Sequence, residues 1–273
     1  MNDVHLYERV KARWPFPVNL DFVVSAPTSV PAVKRAAAIL DHVAIAIKPQ
    51  GVSEIARLLD LPKSSVHGLC HTLVALGLLR ETIEGFELGS HVLQWSAAFL
   101  NKDDLARDFE RVLATDNRLA DYTVTLSVLQ GDRVVYIGCR NAHRPLGFSF
   151  QIGMGLPAVF TATGKAMLSR LKREERDRIL HNAWPRPLTA HSVADRAAFE
   201  HEVELGARRP YALDDGQVRD GMYCIGAPIY DAHGHPIAGL AISLTRAEAQ
   251  PDLVAQLGAV IADLACTLSR NRP

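Results

Sequence analysis

Seven polar or basic side chains between residues 63 and 80 are of the types that bind nucleic acid. They are Lys63, Ser64, Ser65, His67, His71, Thr72 and Arg80. Lysine and arginine bind phosphates as cations, whereas hydroxyl and imidazole groups hydrogen-bond to phosphates or to base edges. We therefore expect Lys63 and Arg80 to contact a DNA backbone and the hydroxyl and imidazole groups to contribute specificity.

Two short helices joined by a tight turn must position most of these side chains. Ser53 and Glu54 suit the first turn of one helix, and Pro62 is tolerated where the next helix begins. The apolar stripe of the second helix comprises Val66, Leu69, Cys70, Leu73 and Leu76. On a helical wheel the opposite face is centred on Ser64, Gly68 and His71. This face is the one predicted to meet DNA.

A short β-hairpin is predicted after the second helix. Gly77–Arg80 leads into a strand, Glu84-Gly85 forms the turn, and Phe86–Leu88 returns. Together with the helices, the hairpin gives the outline of a winged helix-turn-helix, which places one helix in the major groove of DNA. The alternative is a small helical module that contacts another protein.

The charge balance of this module indicates that one copy binds DNA weakly. From Val33 to Gly89 the six basic residues (Lys34, Arg35, Lys48, Arg57, Lys63, Arg80) are opposed by six acidic ones (Asp41, Glu54, Asp60, Glu81, Glu84, Glu87). Neutralisation of phosphates supplies most non-specific affinity for DNA. Two or more copies on one site would compensate through effective concentration, so the sequence predicts a homodimer or homotetramer.

The rest of the chain divides into a connecting helix and a mixed α and β segment. Residues 91–103 are predicted to form an amphipathic linker helix whose apolar face is a candidate dimer contact. Residues 104–273 contain successive strands joined by hairpins, with strands predicted at Thr123–Leu129, Leu146–Ile152 and Met222–Tyr230 among others, and a helix at Leu105–Asp121. This pattern predicts an antiparallel sheet flanked by helices, and hence an α+β fold.

Three other groups of residues could suggest chemistry. Cys224 is the best candidate nucleophile, but catalysis would also need a base and an oxyanion site. The Thr161–Lys165 stretch lacks the first glycine of a phosphate-binding loop, because that position is Val159. His233 and His235 flank a glycine in a predicted hairpin turn. We therefore predict no catalytic residue, no metal site and no cofactor.

The overall composition and the N-terminal segment bear on the partners of the protein and on its location in the cell. The 273 residues carry 30 basic and 30 acidic side chains, so net charge does not indicate a nucleic-acid partner. Four widely spaced cysteines, and the lack of an apolar signal segment or a long apolar run, predict a cytoplasmic protein with no membrane contact. Residues 1–30 are proline-interrupted and apolar. They form either an extension packed on another domain or subunit, or a mobile tail.

Several stretches resemble the IclR family of bacterial transcription regulators. These are SEIARLLDLPKSSVH, LGLL with FELG, GDRVVYI, IGMGLPAVFTATGKAML and YALDDGQVRDGMYCIGAPIYDAHGHPIAGLAISL, which span residues 32 to about 245 in the expected order. The resemblance implies an N-terminal winged helix domain at 31–90, the linker at 91–103, and a domain at 104–273 that is similar to GAF and PAS sensors. It also implies dimers or tetramers on double-stranded operator DNA.

The resemblance further implies a small-molecule effector, often an organic acid, bound on one face of the sheet. Its candidate contacts are Met154, Phe160, Thr161, Ala162, Gly164, Lys165, Asp214, Cys224 and Ser243. Gly164 at a helix start would leave backbone N–H groups free for a carboxylate. Two departures from the family concern the DNA-binding module: Gly68 stands where members commonly carry arginine, and Asp60 replaces the usual turn glycine.

The leading hypothesis is therefore a regulator, most simply a repressor, whose affinity for an operator is controlled by a small organic ligand. A second hypothesis is a small-molecule hydrolase with Cys224 as nucleophile. A third is a ligand sensor that signals by protein contact and does not bind DNA.

Overall fold

A computed structural model describes residues 30–102, 104–142, 150–181, 184–206 and 208–270. The predicted N-terminal extension therefore lies outside the described residues, apart from Val30. The chain separates into two compact units, Met1–Lys102 and Asp103–Pro273.

The described residues of the first unit, 30–102, form four helices and a two-stranded hairpin. In chain order these are α1 (Pro31–Ile45), α2 (Val52–Leu58), α3 (Lys63–Ala75), β1 (Leu79–Thr82), β2 (Gly85–Leu88) and α4 (His91–Lys102). The strands pair antiparallel from Leu79 opposite Leu88 to Thr82 opposite Gly85. Helix, turn, helix and wing occur in the predicted order, and the winged helix-turn-helix prediction is confirmed.

The described core of the first unit is formed by the apolar stripes of α1, α2 and α3 and the inner side of the wing. Its buried residues are Ala38, Ile39, Val43, Ile55, Ala56, Val66, Cys70, Leu73, Leu78, Leu79 and Phe86. Asp60 in the α2–α3 turn has a φ of 51°, in the left-handed region that favours glycine. Aspartate tolerates this conformation better than most residues. The turn is therefore preserved, as the sequence predicted.

The second unit is a six-stranded antiparallel sheet with helices on its two faces. The elements are α5 (Asp104–Thr115), β3 (Thr123–Gln130), β4 (Arg133–Arg140), β5 (Gly155–Pro157), α6 (Ala162–Leu168), α7 (Arg173–Ile179), α8 (Arg196–Gly206), β6 (Ala212–Asp215), β7 (Met222–Tyr230), β8 (Pro236–Thr245) and α9 (Pro251–Ser269). The strand order is β5-β4-β3-β8-β7-β6. The predicted α+β class is confirmed.

Alternation along the central strands gives the sheet two chemically different faces. On one face large aliphatic side chains such as Leu126, Ile225 and Ile242 pack with α5 and α9 to form the main hydrophobic core. The residues between them in the sequence are small or polar, such as Thr125, Cys224 and Ser243, and they project to the opposite face. This second face therefore has room for polar groups beneath α6.

Two predicted elements differ from the structure. Residues 146–149 of the predicted strand Leu146–Ile152 lie outside the described residues, and 150–152 are not strand; β5 instead occupies Gly155–Pro157. The helix expected at Leu105–Asp121 ends at Thr115. The Asp116 carboxylate accepts a hydrogen bond from the Arg118 N–H at 2.9 Å, a local turn that competes with continued helix.

Helix α9 is the one described helix whose length and composition would allow it to cross a membrane. No such span was predicted, because no apolar run in the sequence approaches the roughly 18 residues needed to cross a bilayer. Its face formed by Leu257, Ile261 and Leu264 is buried in the core. Packing on the sheet therefore accounts for its hydropathy.

Candidate functional site

The proposed DNA-facing surface of α3 is exposed on the first unit. Val66, Cys70 and Leu73 anchor the helix in the core. The predicted contacts on the other side (Lys63, Ser64, His67, His71 and Thr72) are exposed, while Ser65 is half-buried. The same helix thus presents one apolar and one polar face, as a groove-binding helix must.

The start of α3 offers hydrogen-bond donors to a phosphate. The first backbone bond within the helix runs from the Val66 N–H to the Pro62 carbonyl at 3.1 Å. The N–H groups of Lys63, Ser64 and Ser65 precede that bond, at positions that have no acceptor within a helix. Together with the Lys63 ammonium and two hydroxyls, they form a donor set suited to an anionic backbone.

Further along the helix some of the predicted side chains contact one another. The Thr72 hydroxyl donates to the Gly68 carbonyl at 2.8 Å. The Nε2 atoms of His67 and His71 lie 3.2 Å apart, and the His71 ring is edge-on to Phe86 of the wing. The two imidazoles are therefore held together at the middle of the exposed face.

The wing adds one cation and one feature that sequence reasoning missed. Arg80 is exposed but forms an ion pair with Glu87 on the neighbouring strand. This pairing reduces the charge that Arg80 offers to a phosphate. Ile83 at the tip of the hairpin is fully exposed. A lone apolar residue in a polar turn was the sequence signal available for this exposed position.

In the second unit, a row of polar side chains crosses the sheet on the face beneath α6. Asp214 pairs with Cys224, Cys224 with Ser243, and Ser243 with Thr123 in the strand register. Directly opposite residues in a sheet share a face, so four polar groups from four strands lie in line. The Cys224 Sγ is 3.2 Å from the Ser243 Oγ.

A small cavity lies over this row. Its lining residues are Thr125, Tyr136, Phe150, Thr161, Ala162, Thr163, Asp214, Val218, Met222, Cys224, Ala241 and Ser243. Five of the predicted effector contacts are therefore brought together: Thr161, Ala162, Asp214, Cys224 and Ser243. The volume of about 10 Å³ has room for roughly one water molecule, so a larger ligand requires the walls to move.

Asp214 is the charged group of the cavity. Its side chain is 1% exposed, and its Oδ1 accepts hydrogen bonds from the N–H groups of Gln217 (2.7 Å) and Val218 (3.3 Å). Burial raises the pKa of Asp214 to about 7, against the lowering effects of Lys165 and of these two hydrogen bonds. The carboxyl can therefore gain or lose a proton near neutral pH when a ligand changes its surroundings.

Two other titratable groups of the cavity are held neutral. Burial, and secondarily the Asp214 carboxylate, raises the pKa of the Cys224 thiol well above its usual range. Burial also raises the pKa of the Tyr136 hydroxyl. A thiol needs a lowered pKa or an adjacent base to act as a nucleophile. Two polar groups on the adjoining strands contact Cys224: the Ser243 hydroxyl, which is not a base, and the Asp214 carboxyl, which raises the pKa of the thiol further instead of lowering it.

The prediction that Gly164 leaves a backbone N–H free for a ligand carboxylate is wrong. Its N–H donates to the hydroxyl of Thr161, the N-cap residue of α6, at 3.0 Å, and is not free for a carboxylate. The glycine serves close packing, because a Cβ at this position would lie 2.1 Å from the Ala158 carbonyl oxygen. The capping hydroxyl of Thr161 is the sequence signal that was overlooked.

The remaining predicted effector contacts do not line the small cavity. Met154 and Phe160 are buried. Lys165, 4% exposed, is directed elsewhere. Its Nζ donates to the Glu202 carboxylate at 2.5 Å and to the Leu213 carbonyl at 3.2 Å. Lys165 and Glu202 line a second cavity of about 270 Å³ between α8 and the edge strand β6.

The close approach of α6 to the sheet depends on glycine. A Cβ on Gly226 of β7 would lie 2.6 Å from the Ala162 carbonyl carbon and 2.8 Å from the Thr163 nitrogen. These are backbone atoms, which cannot move aside as the end of a side chain can. Gly226 thus sets the height of the cavity roof.

We expect Gly226→Ala to lower the free energy of unfolding by about 2–4 kcal/mol, as overpacking against fixed backbone does. Gly206→Ala is the matched control in the same unit, since no atom lies within 4 Å of a Cβ there. Urea unfolding of both variants measures the difference. Equal stabilities of the two variants would contradict the packing described for α6.

The described residues contain no group of three or more histidine, cysteine, aspartate or glutamate side chains arranged to hold a metal ion. The His233 and His235 N–H groups both donate to the Asp231 carboxylate, at 2.9 and 2.8 Å. This confirms that the two histidines lie in a hairpin turn.

Comparisons with known proteins define the class first: a transcription regulator with a DNA-binding helix-turn-helix and an effector domain. Residues 97–270 match the family model described as the bacterial transcriptional regulator IclR C-terminal domain, and residues 32–82 match the IclR helix-turn-helix domain. The first match alone covers more than half of the chain. The chain belongs to the IclR family.

Individual relatives are similar over most of their length. The crystal structure of the repressor BlcR of Agobacterium tumefaciens is 46% identical, with 89% of this chain and 97% of that chain covered and a TM-score of 0.58. The transcriptional repressor IclR of Escherichia coli is 26% identical, with 88% and 89% covered. An IclR homologue from Microbacterium hydrocarbonoxydans, crystallised with 4-hydroxybenzoate, shares the fold at 22% identity, with 88% of this chain and 99% of that chain covered and a TM-score of 0.69.

Proposed function

We propose that this regulator is a repressor whose affinity for its operator is controlled by a small organic ligand, an organic acid or a related metabolite, bound at the polar face of the effector sheet. The observation that carries the proposal is the line of Asp214, Cys224 and Ser243 beneath a cavity roofed by α6. Repression is the activity named for the similar proteins BlcR and IclR. The bound 4-hydroxybenzoate of another homologue supports an organic acid.

The domain roles follow from the same proposal. Residues 31–90 bind double-stranded DNA, 91–103 connect, and 104–273 bind the effector and partner subunits. Lys63, Ser64, Ser65, His67, His71, Thr72 and Arg80 contact the operator. The protein acts in the cytoplasm, where its DNA is.

A dimer or tetramer is part of the proposal. Leu93, Trp95 and Phe99 of α4 are each more than half exposed, which is costly for three large apolar side chains on one helix unless a partner covers them. Two copies would also compensate for the balanced charge of one DNA-binding unit. Half-sites about one DNA turn apart, or multiples of it, would then match the two recognition helices.

Control by ligand follows from the size of the cavity. A ligand of several heavy atoms does not fit into about 10 Å³, so it binds a state in which the roof has moved. Such a ligand shifts the population toward that state by its difference in affinity for the two states. The shifted state presents the α4 helices, and hence the recognition helices, in a different spacing.

A DNA-binding titration with candidate ligands tests this control. The probe is a labelled duplex from the region upstream of the protein's own gene, and the candidates are small carboxylates and lactones. We expect at least one of them to weaken binding of the wild type. A repressor without ligand control would show the same affinity throughout the panel.

Cys224→Ala separates the regulator from the hydrolase alternative. Because Cys224 is a buried thiol with a raised pKa, we expect the variant to keep its affinity for DNA and to lose at most its response to ligand. A hydrolase that uses this thiol would lose all turnover of ester or lactone substrates. Turnover by the wild type that disappears in Cys224→Ala would therefore overturn the assignment of Cys224 as a ligand contact alone.

The third hypothesis, a sensor that signals by protein contact, predicts no operator binding under any condition. The exposed donor set at the start of α3 favours DNA instead. The DNA-binding titration described above, performed without ligand, decides between operator binding and no operator binding.

A further inference from the structure

The exposed face of α3 carries a pair of histidines that no step of the proposed function requires to be adjacent. His67 and His71 are four residues apart, so both imidazoles lie on the same side of the helix. Their Nε2 atoms are 3.2 Å apart and their ring centroids 4.3 Å apart, with the ring planes tilted by 56°. Both side chains are exposed.

This separation is that of two ligands on one metal ion. With Zn–N bonds of about 2.0–2.1 Å, two nitrogens at the tetrahedral angle lie about 3.3 Å apart, and two at a right angle about 2.9 Å apart. The observed 3.2 Å lies between these values. Two histidines at this spacing on a helix are also the pair that binds zinc in helical metalloprotease sites.

The surroundings leave space for an ion on the solvent side. Gly68, next to His67, has no side chain, and no atom lies within 4 Å of the position of its Cβ. The His71 ring is supported from the wing by the Phe86 ring, with centroids 6.0 Å apart. One of the two imidazoles is thus held in place, and only a small rotation of the rings is needed to direct both lone pairs at one point.

The proton balance of ion binding is simple. In the existing contact one Nε2 carries the proton and the other accepts it. Binding through both Nε2 atoms requires the first imidazole to carry its proton on Nδ1 instead. No net proton is released, and the exchanged interaction is a single solvent-exposed hydrogen bond, which costs little to replace.

We propose that His67 and His71 form a two-histidine site for a divalent transition-metal ion on the recognition helix, and that the bound ion strengthens binding to DNA. The second part rests on the proposed function. The DNA-binding unit has balanced charges, and Gly68 at the centre of its exposed face carries no cation. An ion here adds two positive charges beside the phosphates, and its remaining coordination positions, held by water, can accept oxygen or nitrogen ligands from DNA.

Zinc binding without DNA tests the first part. The full-length chain is titrated with ZnCl₂ by calorimetry, in parallel with His67→Gln, His71→Gln and His91→Gln. We expect the wild type and the His91→Gln control to bind one equivalent more than either of the other two variants. Equal stoichiometry in all four proteins would overturn the site, even if zinc binds elsewhere. Thermal unfolding without zinc checks that each variant folds.

DNA affinity with and without zinc tests the second part. The compared quantity is the ratio of the two affinities for the same duplex in each protein. We expect the wild-type ratio to exceed one severalfold and to return to one after a chelator is added, with a ratio near one in His67→Gln. A wild-type ratio of one, with the extra equivalent of zinc bound, would overturn the DNA effect. Absence of DNA binding under any condition would instead overturn the proposed function, while the calorimetric result would still decide the ion site.

Discussion

Gly68→Arg is expected to tighten DNA binding by roughly 30-fold at low salt when two copies share one site. The position is exposed at the centre of the proposed DNA-facing surface, and a Cβ there meets no atom within 4 Å. One added cation near a phosphate contributes about 1 kcal/mol per helix, and the slope of log affinity against log salt steepens by about 0.9 for each new phosphate contact. Fluorescence anisotropy at several salt concentrations measures both quantities.

Two further substitutions at the same position are the controls. Gly68→Glu should weaken binding by a comparable factor, because it places a carboxylate on the same surface. Gly68→Ala should leave affinity nearly unchanged, and all three variants should gain helix stability, since glycine is about 1 kcal/mol less favourable than alanine within a helix. If arginine and glutamate shifted the affinity in the same direction, α3 would not face DNA through this surface.

Asp214→Asn is expected to remove a pH dependence of stability that extends from about pH 4 to about pH 7. The folded-state pKa is about 7, above the usual value of about 4 in an unfolded chain. Between these values the unfolded chain has released the proton and the folded protein has kept it. The contribution of Asp214 to stability is therefore complete below pH 4 and is lost as the pH rises to about 7.

The size of this effect is set by the pKa difference. It corresponds to at most about 4 kcal/mol, and we expect Asp214→Asn to be more stable than the wild type at pH 8 by roughly 1–3 kcal/mol. The asparagine oxygen can still accept the Gln217 and Val218 hydrogen bonds. Urea unfolding from pH 4 to pH 8 checks this, and the two proteins should converge at the acidic end. A constant difference at all pH values would contradict a titrating Asp214.

The same carboxyl determines how ligand binding depends on pH. An anionic ligand beside Asp214 favours its protonated form, so binding takes up a proton and wild-type affinity falls up to tenfold per unit above pH 7. A neutral ligand that donates a hydrogen bond to the carboxylate binds more tightly as the pH rises through 7. In Asp214→Asn ligand affinity should no longer depend on pH in either case, which distinguishes the Asp214 carboxyl from other titrating residues.

The DNA-binding unit could be predicted from the sequence because local rules determine it. Asp60 in the left-handed region, Pro62 before α3 and the glycine-containing hairpin are all short-range signals. The separation of Val66 and Cys70 from His67 and His71 follows from helical periodicity. The ion pair of Arg80 with Glu87 was harder to predict from the sequence, because it depends on the register between the two strands.

The residues that line the proposed effector cavity could be predicted only in part. Asp214, Cys224 and Ser243 were identified by family resemblance. The lining residues Tyr136 and Phe150 were not; they come from β4 and from residues 150–152, which are not in the strand predicted there. Which polar atoms of the site already have a hydrogen-bond partner depends on how the chain folds in three dimensions. The Thr161 hydroxyl accepts the Gly164 N–H and the Glu202 carboxylate accepts from Lys165, and the second of these contacts joins residues 37 positions apart.

Sequence-specific binding of DNA by α3 and the wing is tested by one titration. The wild-type protein is titrated into a labelled duplex from the region upstream of its own gene and into a scrambled duplex of equal length, at several salt concentrations. We predict tighter binding of the upstream duplex at every salt concentration, with log affinity falling linearly with log salt for both duplexes. Equal affinity for the two duplexes at low salt, or no binding to either, would contradict it.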